Sequence, residues 1–155
     1  MISWPAILSA LVGVMFGAGM YTFHFAQGLS YFSNDPNACA NCHLMRDYLD
    51  SWQNSSHHAR AVCNDCHTPH ALLPKLIAKA ENGWRHSVKF TLWTFEEPLR
   101  IRPANSANLQ ENCIGCHRDL VDEIRTVTAH GKAPGKADDL TCVRCHAGVG
   151  HGPRR

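Results

Sequence analysis

The eight cysteines of this 155-residue chain fall into four pairs of one shape, each a Cys-x-x-Cys followed at once by His. Two thiols at this spacing can each bond one vinyl-derived carbon of a porphyrin, and the adjacent histidine can then ligate the iron. Zinc sites and redox Cys-x-x-Cys pairs do not require that histidine. The pattern therefore predicts four covalent c-type haems and leaves no cysteine for a disulfide. The attachment residues are Cys39, Cys42, Cys63, Cys66, Cys113, Cys116, Cys142 and Cys145.

Each haem iron takes one or two axial ligands from the protein, and the motif histidines are the first candidates. Those four are His43, His67, His117 and His146. Met45 stands two residues after His43, and a thioether ligand there would raise the potential of the first haem. His57 and His58 are adjacent, so on a helix they point in different directions and we expect one of them to be a ligand. The other candidates are His130 and His151.

The N-terminal segment carries no Asp, Glu, Lys or Arg before Asp35. Its apolar run over 4–25 has about the length of one bilayer-spanning helix. A cleaved signal peptide is the alternative, but no basic residue precedes the run, and the run is longer than a usual signal core. We therefore predict a transmembrane anchor over residues 1–30. Small residues at Ser9, Gly13 and Gly17 indicate either a packing face for a homodimer or only the glycine content of membrane helices.

The haem motifs also determine the compartment and the kind of fold. Because c-type haem is attached outside the cytoplasmic membrane, we expect residues 31–155 to be a periplasmic haem domain and the N-terminus to be cytoplasmic. About 30 residues per haem are too few for an ordinary apolar core. The haems should therefore form the core of a mainly α and irregular chain. The net charge of +2, without a basic stripe of stacking aromatics, excludes a strongly basic nucleic-acid-binding protein.

The interval between the second and third motifs contains an amphipathic stretch over 75–93. Apolar residues recur there every four positions, as expected for a helix. They are Leu76, Ala80, Trp84, Val88 and Leu92, and the basic residues among them are Lys75, Lys79, Arg85 and Lys89. Basic and aromatic residues on one amphipathic helix are typical of a helix at a membrane surface. A helix packed on haem edges with a solvated basic face is the other interpretation, and the sequence leaves both open.

The order of these features resembles the membrane-anchored tetrahaem quinol dehydrogenases of the NapC/NirT family, and within it the small subunits of cytochrome c nitrite reductases. One anchor is followed by Cys-x-x-Cys-His-x-Met and then by three more haem motifs. The segments 55–58, 63–67, 79–84 and 148–153 also look like that family. The resemblance implies that menaquinol is oxidised at the first haem, where Met45 holds the iron and can displace His43. It further implies a quinol-site lysine at Lys79, and His86 stands where some relatives have a carboxylate.

The resemblance also implies the remaining ligands and the electron acceptor. It pairs His67 with His151 at the second haem and His117 with His58 at the third. At the fourth haem, His146 is proximal, and either His130 or a residue of a partner protein is distal. Electrons would pass from menaquinol to a periplasmic pentahaem nitrite reductase. The alternatives are an electron-transfer cytochrome without its own quinol site, and a quinol dehydrogenase that feeds a nitrate or other oxyanion reductase.

Overall fold

The computed structural model describes residues 3–129 and 141–152, so His130 lies outside the described residues. These residues form helices and connecting turns, with no β-strand among them, which confirms the mainly α fold class. The α-helices are α1 (Trp4–Phe25), α2 (Pro36–Ala40), α3 (Arg46–Gln53), α4 (Cys63–His67), α5 (Leu72–Thr91), α6 (Pro103–Cys116), α7 (Arg118–Ala129) and α8 (Cys142–Cys145). Two short 3₁₀ helices cover Gly28–Phe32 and His43–Met45.

The chain divides into two compact units, Met1–Ser33 and Asn34–Arg155. The first unit is built on α1, whose 22 residues span about 33 Å, the thickness of a bilayer's hydrocarbon core. None of its residues is buried within the chain. The helix ends where Gln27 takes a left-handed conformation. A Cβ atom at Gly28 would collide with the ring of Phe23, so only glycine fits the turn that follows.

In the second unit, the haem motifs lie on short helices or at helix ends. The second motif is α4 itself, the third ends α6, and the fourth is α8 followed by His146. Residues three apart on a helix share a face, so both thiols of such a motif face the same way. Side-chain hydrogen bonds stabilise the first turns of α4 and α2. The Asp65 carboxylate accepts a hydrogen bond from the backbone amide of Val62 at 2.9 Å, and the Asp35 carboxylate accepts one from the backbone amide of Asn37 at 2.9 Å.

Helix α6 is the central element of the second unit, because it packs against both α4 and α8. Its Asn112 side-chain amide donates to the carbonyl oxygens of Cys66, at 3.0 Å, and Thr68, at 2.9 Å. The amide of Cys142 donates to the side-chain oxygen of Gln110 at 2.9 Å. The helix that carries the third motif is thus hydrogen-bonded to the second and the fourth.

The described residues contain no buried apolar side chain. Only Thr68 and Lys79 are buried among them, each at 5% exposure. Apolar burial stabilises a fold by about 25 cal/mol per Å², so the described part of the chain has little of this usual source of stability. That deficit fits a polypeptide wrapped around large apolar cofactors.

Two helices allow a direct comparison with the sequence. The predicted apolar run over 4–25 is helix α1. The stretch predicted over 75–93 is helix α5, which begins three residues earlier and ends at Thr91. Pro74 is tolerated in the first turn because amides there have no intrahelical acceptor. The helix ends because Trp93 adopts a positive φ of 53°.

Candidate haem-binding sites

The rings of His67 and His151 face each other with their centroids 6.0 Å apart. Two imidazoles on opposite sides of one metal, each at a metal–nitrogen distance of about 2 Å, have centroids about 6 Å apart. The Nδ1 atom of His151 lies 3.2 Å from the carbonyl oxygen of Tyr48. A carbonyl can only accept, so Nδ1 carries the proton and Nε2 is left to bind a metal. Burial first, and then the charge of His151, lower the pKa of His67, which favours the neutral ligand form.

A second pair has the same separation: the ring centroids of His57 and His117 are 6.1 Å apart. The Nδ1 atom of His57 lies 3.2 Å from the carbonyl oxygen of Val149 and 3.2 Å from the hydroxyl of Ser56. Its Nε2 is therefore the atom available to a metal, as in His151. Both pairs fit an iron between two histidines, and both of the Nδ1 donors bond to backbone carbonyls.

The structure differs here from the pairing of His117 with His58 that the resemblance implies. His58 packs edge-on against Trp52, with ring centroids 4.7 Å apart, and the Trp52 indole N–H is fixed to the carbonyl oxygen of Ala61 at 3.1 Å. Adjacent residues in a turn point to different sides. The ring of His58 packs against Trp52, and the ring of His57 is the one that lies near His117.

The first motif offers two candidate ligands on one 3₁₀ helix, His43–Met45. The His43 side chain is exposed, whereas Met45 is half-buried. Successive residues of a 3₁₀ helix are about 120° apart, so these two side chains leave the helix in different directions. Which of the two ligates the first haem therefore depends on which side of this 3₁₀ helix faces the haem.

Lys79, on α5, is the buried cation nearest the first motif, since its charge interacts with Cys39. Burial, followed by the charge of Lys75, lowers the pKa of Lys79, while Cys39 opposes the shift. When Cys39 is bonded to haem as a thioether, its sulfur can no longer ionise. It then no longer counteracts the lowering of the Lys79 pKa. His86 lies two turns further along the same face of α5. Partial desolvation, followed by the charge of Arg102, lowers the pKa of His86.

A polar network joins α5 to the start of α6. Glu81 accepts from Arg85 at 3.0 Å and from Arg102 at 2.7 Å. The side-chain oxygen of Asn82 accepts from Arg102 at 3.4 Å and from Asn105 at 3.1 Å. Single exposed ion pairs contribute little, but a shared network fixes geometry. Arg102 is thereby held where its charge acts on His86.

Haem motifs that follow one another in the sequence are also neighbours in space. The thiol of Cys63 hydrogen-bonds to that of Cys39 and lowers its pKa to about 7. Burial, followed by the charges of Asp65 and of the Cys116 thiol, raises the pKa of Cys66. Burial, followed by the charges of the Cys142 and Cys66 thiols, raises the pKa of Cys113. The interacting thiols are Cys66 with Cys113 and Cys116, and Cys113 with Cys142. Such an order suits stepwise electron transfer along the chain.

Other sequence candidates have different surroundings. His146 caps the end of α8 and is exposed. His70 bonds through Nε2 to the carbonyl oxygen of Asp65 at 3.1 Å, which fits a polar turn residue. No sequence motif indicates the supporting side chains, which are Tyr48, Arg102, Gln110 and Asn112. His57 could be found only as one of two adjacent histidines.

These features define a c-type cytochrome whose N-terminal helix is long and apolar enough to cross a membrane. The family model for the NapC/NirT cytochrome c family, N-terminal region, matches residues 2–154. The chain belongs to that family, and its cofactor is haem c.

Two relatives and one solved structure are similar over most of the chain. Cytochrome c-type protein NrfH of Wolinella succinogenes is 38% identical, covering 96% of this chain and 88% of the relative. Cytochrome c nitrite reductase subunit NrfH of Nitratidesulfovibrio vulgaris is 31% identical, covering 81% and 72%. The crystal structure of the cytochrome c nitrite reductase NrfHA complex bound to the HQNO inhibitor matches with a TM-score of 0.62 and 26% identity, covering 92% of this chain and 90% of that one. The chain is thus an electron-transfer cytochrome similar to those of nitrite reductase complexes.

Proposed function

We propose that this protein is a membrane-bound quinol dehydrogenase. It oxidises menaquinol and passes the electrons through four c-type haems to a periplasmic pentahaem cytochrome c nitrite reductase, in respiratory nitrite ammonification. The observation that carries the quinol assignment is the buried Lys79 beside Cys39 of the first motif. The names of the NrfH relatives and of the NrfHA complex support the nitrite reductase as electron acceptor.

Each haem would be attached through the two cysteines of its motif, and bound haem supplies one-electron redox chemistry. We assign His67 and His151 to the second iron on the 6.0 Å separation of their rings. We assign His117 and His57 to the third, on a separation of 6.1 Å. The other ligands would be Met45 or His43 at the first haem and His146 at the fourth, with His130 or a partner residue on its far side.

Oxidation of menaquinol to menaquinone releases two electrons and two protons, so the site must also accept protons. We propose that His86 accepts one, because its lowered pKa leaves the imidazole neutral near pH 7, with a nitrogen lone pair that can take a proton. Lys79 would donate a hydrogen bond to a quinol oxygen, which orients the hydroxyl groups and stabilises the charge left as protons depart. The Glu81–Arg102 pair fixes α5 against the start of α6.

The proposed topology follows from α1 and the haem chemistry. Helix α1 spans the cytoplasmic membrane once, with the N-terminus in the cytoplasm and the haem domain in the periplasm. Apart from the backbone of α1 itself, no atom of the described residues lies within 4 Å of a Cβ placed at Gly13 or Gly17, which leaves room there for another helix. We propose that it packs against α1 of a second copy.

The test uses the full-length haem-loaded protein in lipid nanodiscs. A menaquinol analogue is added without oxygen, and haem reduction is followed optically. We expect rapid reduction in the wild type and a loss of about tenfold or more in Lys79→Ala, because a positioned hydrogen-bond partner contributes on that scale. Lys89→Ala, on the same helix but exposed, is the matched control and should stay near wild type.

Two results would contradict the proposal. A wild-type protein that the analogue cannot reduce, although dithionite reduces it, would favour an electron-transfer cytochrome without a quinol site. Adding a pentahaem nitrite reductase and nitrite tests the acceptor. Reoxidation that requires a nitrate reductase instead would assign the protein to another oxyanion pathway.

A further inference from the structure

Three separate parts of the chain meet at Tyr48, a half-buried residue of helix α3. Its backbone carbonyl oxygen accepts a hydrogen bond from Nδ1 of His151, near the end of the chain, at 3.2 Å. Its ring packs edge-on against the His151 imidazole, with centroids 5.7 Å apart and 88° between the ring planes. Its hydroxyl donates to the carbonyl oxygen of Leu99, in the connection between α5 and α6, at 3.5 Å. Tyr48 therefore contacts the His151 imidazole through both its backbone and its side chain.

These contacts restrict the torsion that sets the plane of the His151 ring. A histidine ring turns about its Cβ–Cγ bond, and this torsion has no sharp minima of its own. The hydrogen bond to the Tyr48 carbonyl oxygen fixes the position of Nδ1, and the adjoining Tyr48 ring limits how far the imidazole can turn. Contacts of this kind orient histidines that bind metals.

The plane of each histidine matters because the two facing pairs differ in the angle between their rings. The planes of His67 and His151 make 36°, whereas those of His57 and His117 make 73°. Imidazole planes that are closer to parallel separate the energies of two iron d orbitals and give a rhombic low-spin ferric signal. Planes that are closer to perpendicular leave these orbitals near in energy and give a larger maximum g value. The orientation of His151 can therefore be followed by electron paramagnetic resonance.

We propose that Tyr48 is a positioning residue for the second haem and that it acts through His151. Tyr48 would keep the two imidazole planes at the smaller angle and would hold His151 in one orientation in both oxidation states of the iron. A ligand that is held by its surroundings needs little rearrangement when an electron arrives or leaves. The inference rests on the proposed function in one respect, which is the assignment of His67 and His151 to the second iron.

Electron paramagnetic resonance of the oxidised, full-length, haem-loaded protein tests this role. The signal of the second haem is identified as the low-spin signal that His151→Ala removes. Tyr48→Leu deletes the ring and the hydroxyl but keeps the backbone carbonyl, so that haem should stay low-spin. We expect its signal to broaden and its largest g value to move, because the imidazole plane is no longer fixed. Its midpoint potential, measured by redox titration of the same signal, should shift as well.

Two further variants show whether the aromatic ring is responsible. Tyr48→Phe keeps the ring and should restore the wild-type signal and potential. Trp52→Leu is the matched control, because Trp52 lies on the same helix and packs edge-on against His58, which belongs to neither pair. This variant should leave the signal of the second haem unchanged.

Haem absorbance identifies any variant that fails to mature, and Tyr48→Met, which retains more side-chain volume, then serves as the milder variant. The proposal is overturned if the signal and the potential of the second haem are unchanged in Tyr48→Leu and Tyr48→Met, or if Tyr48→Phe alters them as much as Tyr48→Leu. A high-spin haem in Tyr48→Leu alone would support it, since Tyr48 would then be needed to keep His151 on the iron. His151→Ala separates this proposal from the ligand assignment, because a high-spin haem there supports the pair even when the Tyr48 variants have no effect.

Discussion

The imidazole of His151 faces that of His67 at 6.0 Å while its Nδ1 atom donates to the carbonyl oxygen of Tyr48. The Tyr48 ring also meets the His151 ring edge-on, with centroids 5.7 Å apart. Helix α3 therefore holds a histidine that comes from the far end of the chain. A ligand fixed on two sides needs little reorganisation when it binds iron.

The first prediction concerns His151. His151→Ala should leave one haem per chain five-coordinate, because no other described histidine ring faces His67. Electron paramagnetic resonance would then show a new high-spin ferric signal, and the low-spin signals should decrease in proportion. His70→Ala is the control, because His70 bonds to a carbonyl oxygen in a turn. An unchanged low-spin spectrum in His151→Ala would exclude the pairing.

The second prediction separates two adjacent histidines. His57→Ala should produce a high-spin haem, since His57 is the residue whose ring faces His117 at 6.1 Å. His58→Ala should retain the low-spin spectrum and lose only its packing on Trp52. The opposite outcome, a high-spin haem in His58→Ala alone, would restore the pairing that the family resemblance implies.

The third prediction concerns the clamp between the second and third motifs. Asn112→Ala removes two hydrogen bonds and leaves the carbonyl oxygens of Cys66 and Thr68 without that donor. We expect a loss of about 1–3 kcal/mol in the free energy of unfolding. Thermal unfolding followed by Soret circular dichroism should show a Tm lower by on the order of 5 °C. Asn54→Ala, which removes only a local bond to Asp50, should change the Tm little.

The fourth prediction is a pH shift controlled by Arg102. Its charge helps to lower the pKa of His86, so Arg102→Gln should raise that pKa. A higher pKa means that His86 becomes protonated, and unable to accept a proton, at a higher pH. The acidic limb of the pH profile for menaquinol oxidation should therefore move to higher pH. Arg102→Lys keeps the charge and should keep the profile closer to wild type, whereas a shift to lower pH in Arg102→Gln would contradict the assigned role.

The sequence predicts best what depends on local spacing. The residues of α1 could be read from the uncharged N-terminal run, and the haem class from the four cysteine motifs. The choice between His57 and His58 could not, because it depends on Trp52 occupying one side of the turn. The contacts of Asn112 and Arg102 were equally hidden, since polar residues of this kind also occur on any solvated helix. Long-range hydrogen bonds of single side chains leave no periodic signal.

Helix α6 connects three of the four haem motifs. It ends in the third motif, packs on α4 and α8, and is bonded through Asn112 and Gln110 to the second and fourth motifs. The positions of three haem motifs are thereby fixed relative to one helix. The spacing between their redox centres would then be insensitive to tilting of the domain at the membrane or to docking of an electron acceptor. Such movements would be taken up by the connecting segments outside α6. The distances between these three redox centres would stay the same.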